Sequence, residues 1–199
     1  MTTRELRICV IGDELVAGVG DARALGWVGR VMARSHWTQP TSVFTLATPG
    51  ETTAQLTGRW EAETATRFSA APEVDNRLVV ALGRHDIETG QSVARSRLNL
   101  ANLLDVATTR GIPTFVVGPP PGKEADASEL EELSEAFASV TARRHIPYVD
   151  TFHPLRNHDQ WRSDLAQNGS VYPGQAGYGL IAWLVLHTGW HQWLGLDPE

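Results

Sequence analysis

Short apolar runs alternate with segments of helical length along the chain, and this alternation is the strongest constraint on its fold. The runs with the composition of β-strands are residues 6–11, 42–47, 77–82, 113–118 and 146–150. The clearest helical patterns between them are residues 53–67, 91–110 and 127–144. Because strands that alternate with helices form a parallel sheet covered on both faces, the sequence predicts a three-layer α/β/α fold with a five-stranded parallel sheet.

Length, charge and cysteine usage restrict the class of protein further. The 199 residues suit one compact domain over residues 1–199, and 23 acidic against 17 basic residues, with no basic stripe, argue against nucleic acid as a partner. The single cysteine, Cys9, lies in the first apolar run and excludes an internal disulfide. The amino-terminal residues do not have the pattern of a secretory signal, and the apolar stretch 180–186 is far too short to span a membrane. We therefore expect a cytoplasmic protein with no membrane partner, in which residues 180–186 form a buried helix face.

Glycine and polar residues follow the ends of the predicted strands. The stretches are Gly12-Asp13-Glu14-Leu15, residues 46–53 around Gly50, Gly83-Arg84-His85-Asp86, Val117-Gly118-Pro119-Pro120-Pro121 and, before the last helix, residues 171–178 from Val171 to Tyr178. Ligands of open α/β sheets bind at the carboxyl ends of the strands. The sequence thus predicts a functional site where these stretches meet.

In this order and at this spacing, the five stretches resemble the sequence blocks of the SGNH (GDSL) hydrolase family. The resemblance covers nearly the whole chain and implies a flavodoxin-like SGNH hydrolase fold. It also implies a site in which the first block supplies a serine nucleophile, the second and third a glycine and an asparagine of the oxyanion hole, and the last an aspartate and a histidine three residues apart. The residues at these positions in the present chain are Glu14, Gly50, His85, Gly169 and Tyr172. Only Gly50 matches its counterpart.

With these substitutions, we do not expect the chain to use the ordinary serine-esterase mechanism. A carboxylate at position 14 is no substitute for a hydroxyl nucleophile, and Tyr172, with a reference pKa near ~10, is a feeble general base. The leading hypothesis is a non-hydrolytic pseudoenzyme. It would bind a small molecule or a protein through the pocket that holds the active site in the family. In that hypothesis the Glu14 carboxylate accepts hydrogen bonds from the Gly50 amide and from His85, which lowers its pKa.

The remaining site predictions concern ligand contacts and alternatives. Asp13, Gly50, Asp86 and Ser170 are the predicted ligand-binding residues, with Ser170 the only serine bordering the pocket. One alternative is an enzyme in which Glu14, His85 and Tyr172 carry out proton transfer or hydrolysis by an activated water, and a further one is an unconventional esterase. A metal site at Asp13, Glu14, His85 and Asp86 has suitable ligand types. The resemblance instead gives the acids at positions 13 and 86 structural roles, so we expect no metal and no cofactor.

Two carboxyl-terminal features also carry predictions. Residues 151–173 have no regular pattern and are long for a connection, which predicts a functional or mobile loop. Trp183 is predicted to have a core or helix-packing role, whereas the Trp190-His191-Gln192-Trp193 cluster is predicted to form an exposed aromatic surface. Such surfaces mark contacts with partners, which leaves a homodimer open.

Overall fold

The computed structural model describes residues 4–122, 127–169 and 172–196. The strands are β1 (Glu5–Gly12), β2 (Thr41–Ala47), β3 (Val74–Ala81), β4 (Thr114–Val117) and β5 (Tyr148–Val149). The helices are α1 (Gly26–Arg34), α2 (Thr53–Ala65), α3 (Arg84–Glu88), α4 (Val93–Thr109), α5 (Ala127–Ala142), α6 (Phe152–Arg156), α7 (Asp159–Gln167), α8 (Gln175–Val185) and α9 (His191–Leu194). Within these described ranges, no helix is both long and apolar enough to cross a membrane.

All pairings in the sheet are parallel, and the strand order is β2-β1-β3-β4-β5. Gly12, the last residue of β1, is in register with Ala47 at the end of β2 and with Ala81 at the end of β3. Because these three strands end at the same level, the loops that follow them meet at one edge of the sheet.

The interior strand β1 is apolar on both faces, as expected for a parallel strand covered by helices. Leu6, Ile8 and Val10 belong to one buried cluster, which extends to α1, α8 and α9. Cys9 and Ile11 belong to the other, which extends to α2, α4 and α5. Each fully buried apolar side chain of this size contributes about 1.5–3 kcal/mol to folding. The predicted three-layer α/β/α fold with a five-stranded parallel sheet is confirmed.

The prediction of an irregular loop over residues 151–173 was wrong. The segment contains α6 and α7, which bury the side chains of Phe152, Leu155, Trp161 and Leu165. The Trp161 indole donates a hydrogen bond to the Pro121 carbonyl at 3.1 Å and so fixes α7 against the β4–α5 connection. These apolar residues have helical spacing, but the two helices are so short that the pattern is interrupted at residues 157 and 158.

Trp183 does not lie in the core, and the prediction of an exposed aromatic surface around Trp190 was wrong. Trp183 on α8 is 54% exposed, and its indole stacks on the ring of His187. Trp190 is fully buried, where it contacts Phe115 edge-on and donates a hydrogen bond to the Ser35 hydroxyl at 3.0 Å. The backbone turns sharply at Gly189, which has a φ of +80°, and this turn brings Trp190 under the sheet. The residues around Trp190 therefore do not form the exposed surface that suggested a dimer.

Candidate functional site

The turn after β1 places Glu14 at the edge of the sheet. A Cβ atom at Gly12 would come within 1.9 Å of the Ala81 carbonyl oxygen, so only glycine allows β1 and β3 to lie this close at their ends. The Asp13 carboxylate then accepts a hydrogen bond from the Leu15 amide at 2.9 Å and closes the turn. Glu14 lies inside this turn and is 2% exposed.

The Glu14 carboxylate is surrounded by donors from two other loops. Its Oε2 atom accepts a hydrogen bond from the Gly50 amide at 2.8 Å. The His85 Nε2 atom lies 2.9 Å from Oε1 and 3.0 Å from Oε2. The Arg84 Nη2 atom donates to Oε1 at 2.8 Å. The carboxylate is therefore bonded at both oxygens by groups that favour a negative charge.

The loop between β2 and α2 holds the Gly50 amide in place. Gly50 has a φ of +71°, a left-handed conformation that favours glycine. On one side of it, the Thr48 amide donates to the Gly12 carbonyl at 2.9 Å. On the other side, Thr52 and Gln55 form a capping box that fixes the first turn of α2. The position of the amide is thus set by both ends of the loop.

Helix α3 presents Arg84 and His85, and Asp86 anchors the helix. The Asp86 carboxylate accepts hydrogen bonds at 2.7 Å from both the amide and the hydroxyl of Thr53, the first residue of α2. Asp86 is fully buried by these contacts. It therefore joins α3 to α2, and it does not line the cavity beside Arg84, so the structure gives the predicted ligand residue Asp86 a structural contact.

His85 faces a carboxylate at each ring nitrogen. In addition to the Glu14 contact at Nε2, its Nδ1 atom lies 2.7 Å from the Glu88 carboxylate. The hydrogen bond to Glu14 is the main cause that raises the pKa of His85, against the opposing effect of burial. Both ring nitrogens donate in an imidazolium, and this protonation state satisfies both carboxylates.

The two neighbouring acids of the site have opposite pKa shifts. Burial would raise the pKa of Glu14, but the hydrogen bonds from His85 and the Gly50 amide outweigh it and lower the pKa to about 2. Burial, followed by the charge of Glu14, raises the pKa of Asp13 to about 7. Glu14 is thus ionised at neutral pH, while Asp13 retains its proton over much of the range below neutrality.

Tyr172 borders the cluster without bonding to Glu14. The Arg84 guanidinium lies over its ring at 5.1 Å, a cation–π contact. Among the hydrogen bonds between described residues, none joins the Tyr172 hydroxyl to Glu14 or His85. Gly169, at the position of the family's aspartate, is exposed.

The structure brings Glu14, Gly50 and His85 together as the sequence predicts and places Asp13 beside them. Ser170, a predicted ligand contact, lies outside the described residues. The sequence interpretation missed Arg84, which bonds Glu14 and stacks on Tyr172. A basic residue directly after a buried strand and next to a candidate polar residue is a signal that could have identified it.

A metal ion would have to replace this hydrogen-bonded arrangement. Among the described residues, one group of side chains has the spacing of metal ligands. Asp13, Glu14 and His85 each offer a ligand atom within 4.8 Å of the others. The Arg84 guanidinium, however, already lies 2.8 Å from Glu14 and would repel a cation at the same carboxylate. The donor set therefore fits an anion better than a cation.

A small cavity lies beside the cluster among the residues that the structure describes. A cavity bounded by Asp13, Leu15, Trp27, Arg84 and Ile181 has a volume of about 20 Å³. That is room for one water molecule. An acyl chain would not enter it without movement of the surrounding side chains.

Comparisons with known proteins agree with this architecture. The sequence matches the model of the GDSL-like Lipase/Acylhydrolase family over residues 10–180, and a comparison with curated proteins finds no match. A lipase/acylhydrolase from Enterococcus faecalis is similar in structure, with a TM-score of 0.73, 20% identity and coverage of 97% of this chain and 98% of that one. For a lipolytic protein of the G-D-S-L family from Veillonella parvula the values are 0.73, 19%, 91% and 96%. For Axe2, an acetylxylan esterase from Geobacillus stearothermophilus, they are 0.72, 17%, 96% and 94%.

Proposed function

Because the chain belongs to the GDSL-like lipase/acylhydrolase family, we propose that it is a member that binds a small ligand or a protein without hydrolysing esters. The observation that carries this proposal is the position of the Glu14 carboxylate. Its two oxygens take the hydrogen bonds of the Gly50 amide and of His85, at 2.8–3.0 Å. By the family resemblance, these positions supply the donors that stabilise the oxyanion of an ester undergoing hydrolysis. A substrate carbonyl would have to displace Glu14 to reach them.

The protonation states support the proposal. A general base is most effective when its pKa is near the working pH, and a pKa of about 2 makes Glu14 a very weak one. His85 cannot serve as the base while both of its nitrogens donate to carboxylates. Tyr172 is held under Arg84 rather than directed at Glu14. Glu14 and His85 thus satisfy each other, and Tyr172 contacts Arg84 instead of either of them.

Side chains at the edge of the Glu14 cluster offer the groups for recognition. The Glu88 side chain is 49% exposed and that of Arg84 is 15% exposed, and Tyr172 is partly buried next to them. Together they present a carboxylate, a guanidinium and an aromatic ring. A polar small molecule or a polar segment of a protein could bind such a set through hydrogen bonds and stacking.

The Glu88–His85–Glu14 contacts favour a second candidate function. An exposed carboxylate, an imidazole and a buried carboxylate lie in series, with contacts of 2.7 Å and 2.9 Å. Such a series can move a proton between solvent and the interior of the site. An enzyme that uses Glu14, His85 and Tyr172 for proton transfer, or to activate a water, would need it.

Hydrolysis of p-nitrophenyl acetate separates these candidates. We expect the wild-type protein to show the same rate as the Glu14→Ala variant, and both to equal the rate of buffer with an unrelated protein. Turnover by the wild type that disappears in the Glu14→Ala variant would overturn the proposal and support the second candidate.

A gain-of-function series tests whether the pocket has the family geometry. We expect the combined Glu14→Ser, His85→Asn, Gly169→Asp and Tyr172→His variant to hydrolyse the ester at least about a hundredfold faster than a matched triple variant that keeps Glu14. A Cβ atom at position 169 would meet no other atom within 4 Å, and aspartate tolerates the left-handed φ of +71° there better than most residues do. A folded quadruple variant no faster than the triple variant would contradict the equivalence of these positions.

A further inference from the structure

The donors around Glu14 come from segments that lie far from it along the chain. Gly50 is 36 residues away along the chain, Arg84 is 70 and His85 is 71. All three converge on one carboxylate at 2.8–3.0 Å. Two of them carry side chains that hold a positive charge when protonated, and the third is a backbone amide.

Contacts on the far side of each segment hold the donors in place. The capping box at Thr52 fixes the loop of Gly50, and the Asp86–Thr53 hydrogen bonds fix α3. The contact with Glu88 orients the His85 ring from its Nδ1 side. Loss of the Glu14 carboxylate alone would therefore leave the donors close to their present positions. They would then lack this acceptor, which costs free energy when the groups are buried and charged.

We propose that Gly50, Arg84 and His85 form a binding site for a small carboxylate, and that Glu14 is the tethered occupant of this site in the free protein. The inference rests on the proposed function, because it treats Glu14 as a ligand of the pocket rather than as a group that reacts. An external carboxylate binds by displacing Glu14 or by taking its place when the side chain is shortened.

The geometry selects a carboxylate among anions. One oxygen is shared by Arg84 and His85 and the other by Gly50 and His85, which is the planar two-oxygen arrangement of a carboxylate. The Glu14→Ala change removes a methylene and a carboxylate, the atoms of acetate. Acetate therefore matches the space that this variant opens, whereas a tetrahedral phosphate is larger and has more oxygens than the two that these donors bond.

Acetate binding to the Glu14→Ala variant tests the proposal. We expect saturable binding by calorimetry, and a rise in the unfolding midpoint of roughly 3–6 °C at a tenfold excess over the dissociation constant. Acetamide, which has the same shape and no charge, is the matched control and should give no rise. The wild type should bind acetate at least about tenfold more weakly, because its own carboxylate competes at a high effective concentration.

A second substitution identifies the groups that bind. Adding Arg84→Gln to Glu14→Ala should weaken acetate binding at least about tenfold, since a charge-assisted hydrogen bond is lost. If Glu14→Ala folds only when acetate is present during purification, the rescue supports the proposal as well. Failure to fold even with acetate would overturn it.

Three further results would overturn the proposal: no saturable effect of acetate on the folded variant, an equal effect of acetamide, or equal affinity of the wild type. Each of them leaves the absence of ester hydrolysis untouched. Conversely, esterase activity of the wild type would overturn the proposed function without changing the expected acetate binding of the variant.

Discussion

Asp21 and Glu14 are both buried carboxylates paired with an arginine, but their partners lie at different distances along the chain. Asp21 accepts hydrogen bonds from the amides of Arg23, Leu25 and Gly26 at 2.9–3.2 Å and pairs with Arg30. All of these partners lie within nine residues. The hydrogen bond from Arg30 is the main cause that lowers the pKa of Asp21 to about 2. Glu14 reaches a similar pKa with donors 36–71 residues away.

The difference separates a structural carboxylate from a carboxylate in a pre-formed site. Asp21 organises its own loop and the start of α1, so its donors exist in this arrangement because Asp21 is there. The donors of Glu14 come from segments that other contacts fix, so we expect them to keep their positions when the Glu14 carboxylate is removed. Equal pKa values therefore do not imply equal roles, and removal of each side chain should give a different result.

The largest effect is expected for Asp21→Ala. The change leaves the Arg30 guanidinium, whose side chain is 10% exposed, without its buried partner and leaves backbone amides without an acceptor. Breaking a buried pair in this way costs about 3–5 kcal/mol. Denaturation by urea measures the loss, with Asp159→Ala on the surface of α7 as a control that should change little. Acetate should not restore the stability of Asp21→Ala, and a restoration as large as that in Glu14→Ala would remove the distinction between the two sites.

A smaller effect is expected for Glu14→Gln, which keeps the shape of the side chain. Its oxygen can still accept from Gly50, but the charge that compensates Arg84 and His85 is lost, which costs about 1–3 kcal/mol. The lowered pKa of Glu14 means that its ionisation stabilises the fold above pH 4.5 and that this contribution is lost as the pH falls toward 2. Unfolding measured from pH 6 to pH 3 should therefore show a weaker acid dependence in the variant. An unchanged acid dependence would mean that Glu14 is not ionised in the way described.

Asp13 should impose the opposite pH dependence. Its pKa is raised to about 7 from 3.8, so the folded state binds more protons than the unfolded state between these values. Stability from this group is complete below pH 3.8 and is lost as the pH rises through 7. The pKa of His85 is also raised, so its contribution to the free energy of unfolding is likewise lost as the pH rises above 6.5. The wild-type unfolding midpoint should be higher at pH 5 than at pH 8 by a few degrees.

The Asp13→Asn variant tests the origin of that difference. Asparagine keeps the acceptor for the Leu15 amide and has no proton to lose. The fall in the unfolding midpoint between pH 5 and pH 8 should become smaller in this variant. The part of the fall that is due to His85 should remain. A variant with the same fall as the wild type would show that Asp13 is not the group that titrates.

The sequence predicts the position of this site better than its contacts. The ends of parallel strands lie level, so Glu14, Gly50 and His85 could be placed together from the order of strands and loops. The side-chain direction of Arg84 could not, because it depends on the packing of a five-residue helix against two loops. The same limit applies to Trp190, whose burial depends on the backbone turn at Gly189 rather than on any helical period.

The segment predicted to be irregular shows a related limit. Hydrophobic periodicity detects helices of about ten residues or more, and α6 and α7 have five and nine. Their contribution comes from tertiary contacts, such as the Asp164 carboxylate that accepts the Gly177 amide at 3.0 Å and caps α8. A short helix that is stabilised in this way has no strong local signal in the sequence.

The smallest effect is expected for Glu88→Gln. This change removes the carboxylate that contacts His85 from within α3, the short helix to which both residues belong. The side chain of Glu88 is 49% exposed, so its interaction with His85 is screened and is worth under about 1 kcal/mol. We expect the pKa of His85, measured by NMR titration of its ring protons, to fall slightly in this variant and to fall much further in Glu14→Gln. The order matters because the hydrogen bond to Glu14 is the larger cause of the raised pKa. If Glu88→Gln lowered the pKa of His85 more than Glu14→Gln does, the contact within α3 would be the stronger one. Local contacts would then dominate around His85, as they do around Asp21.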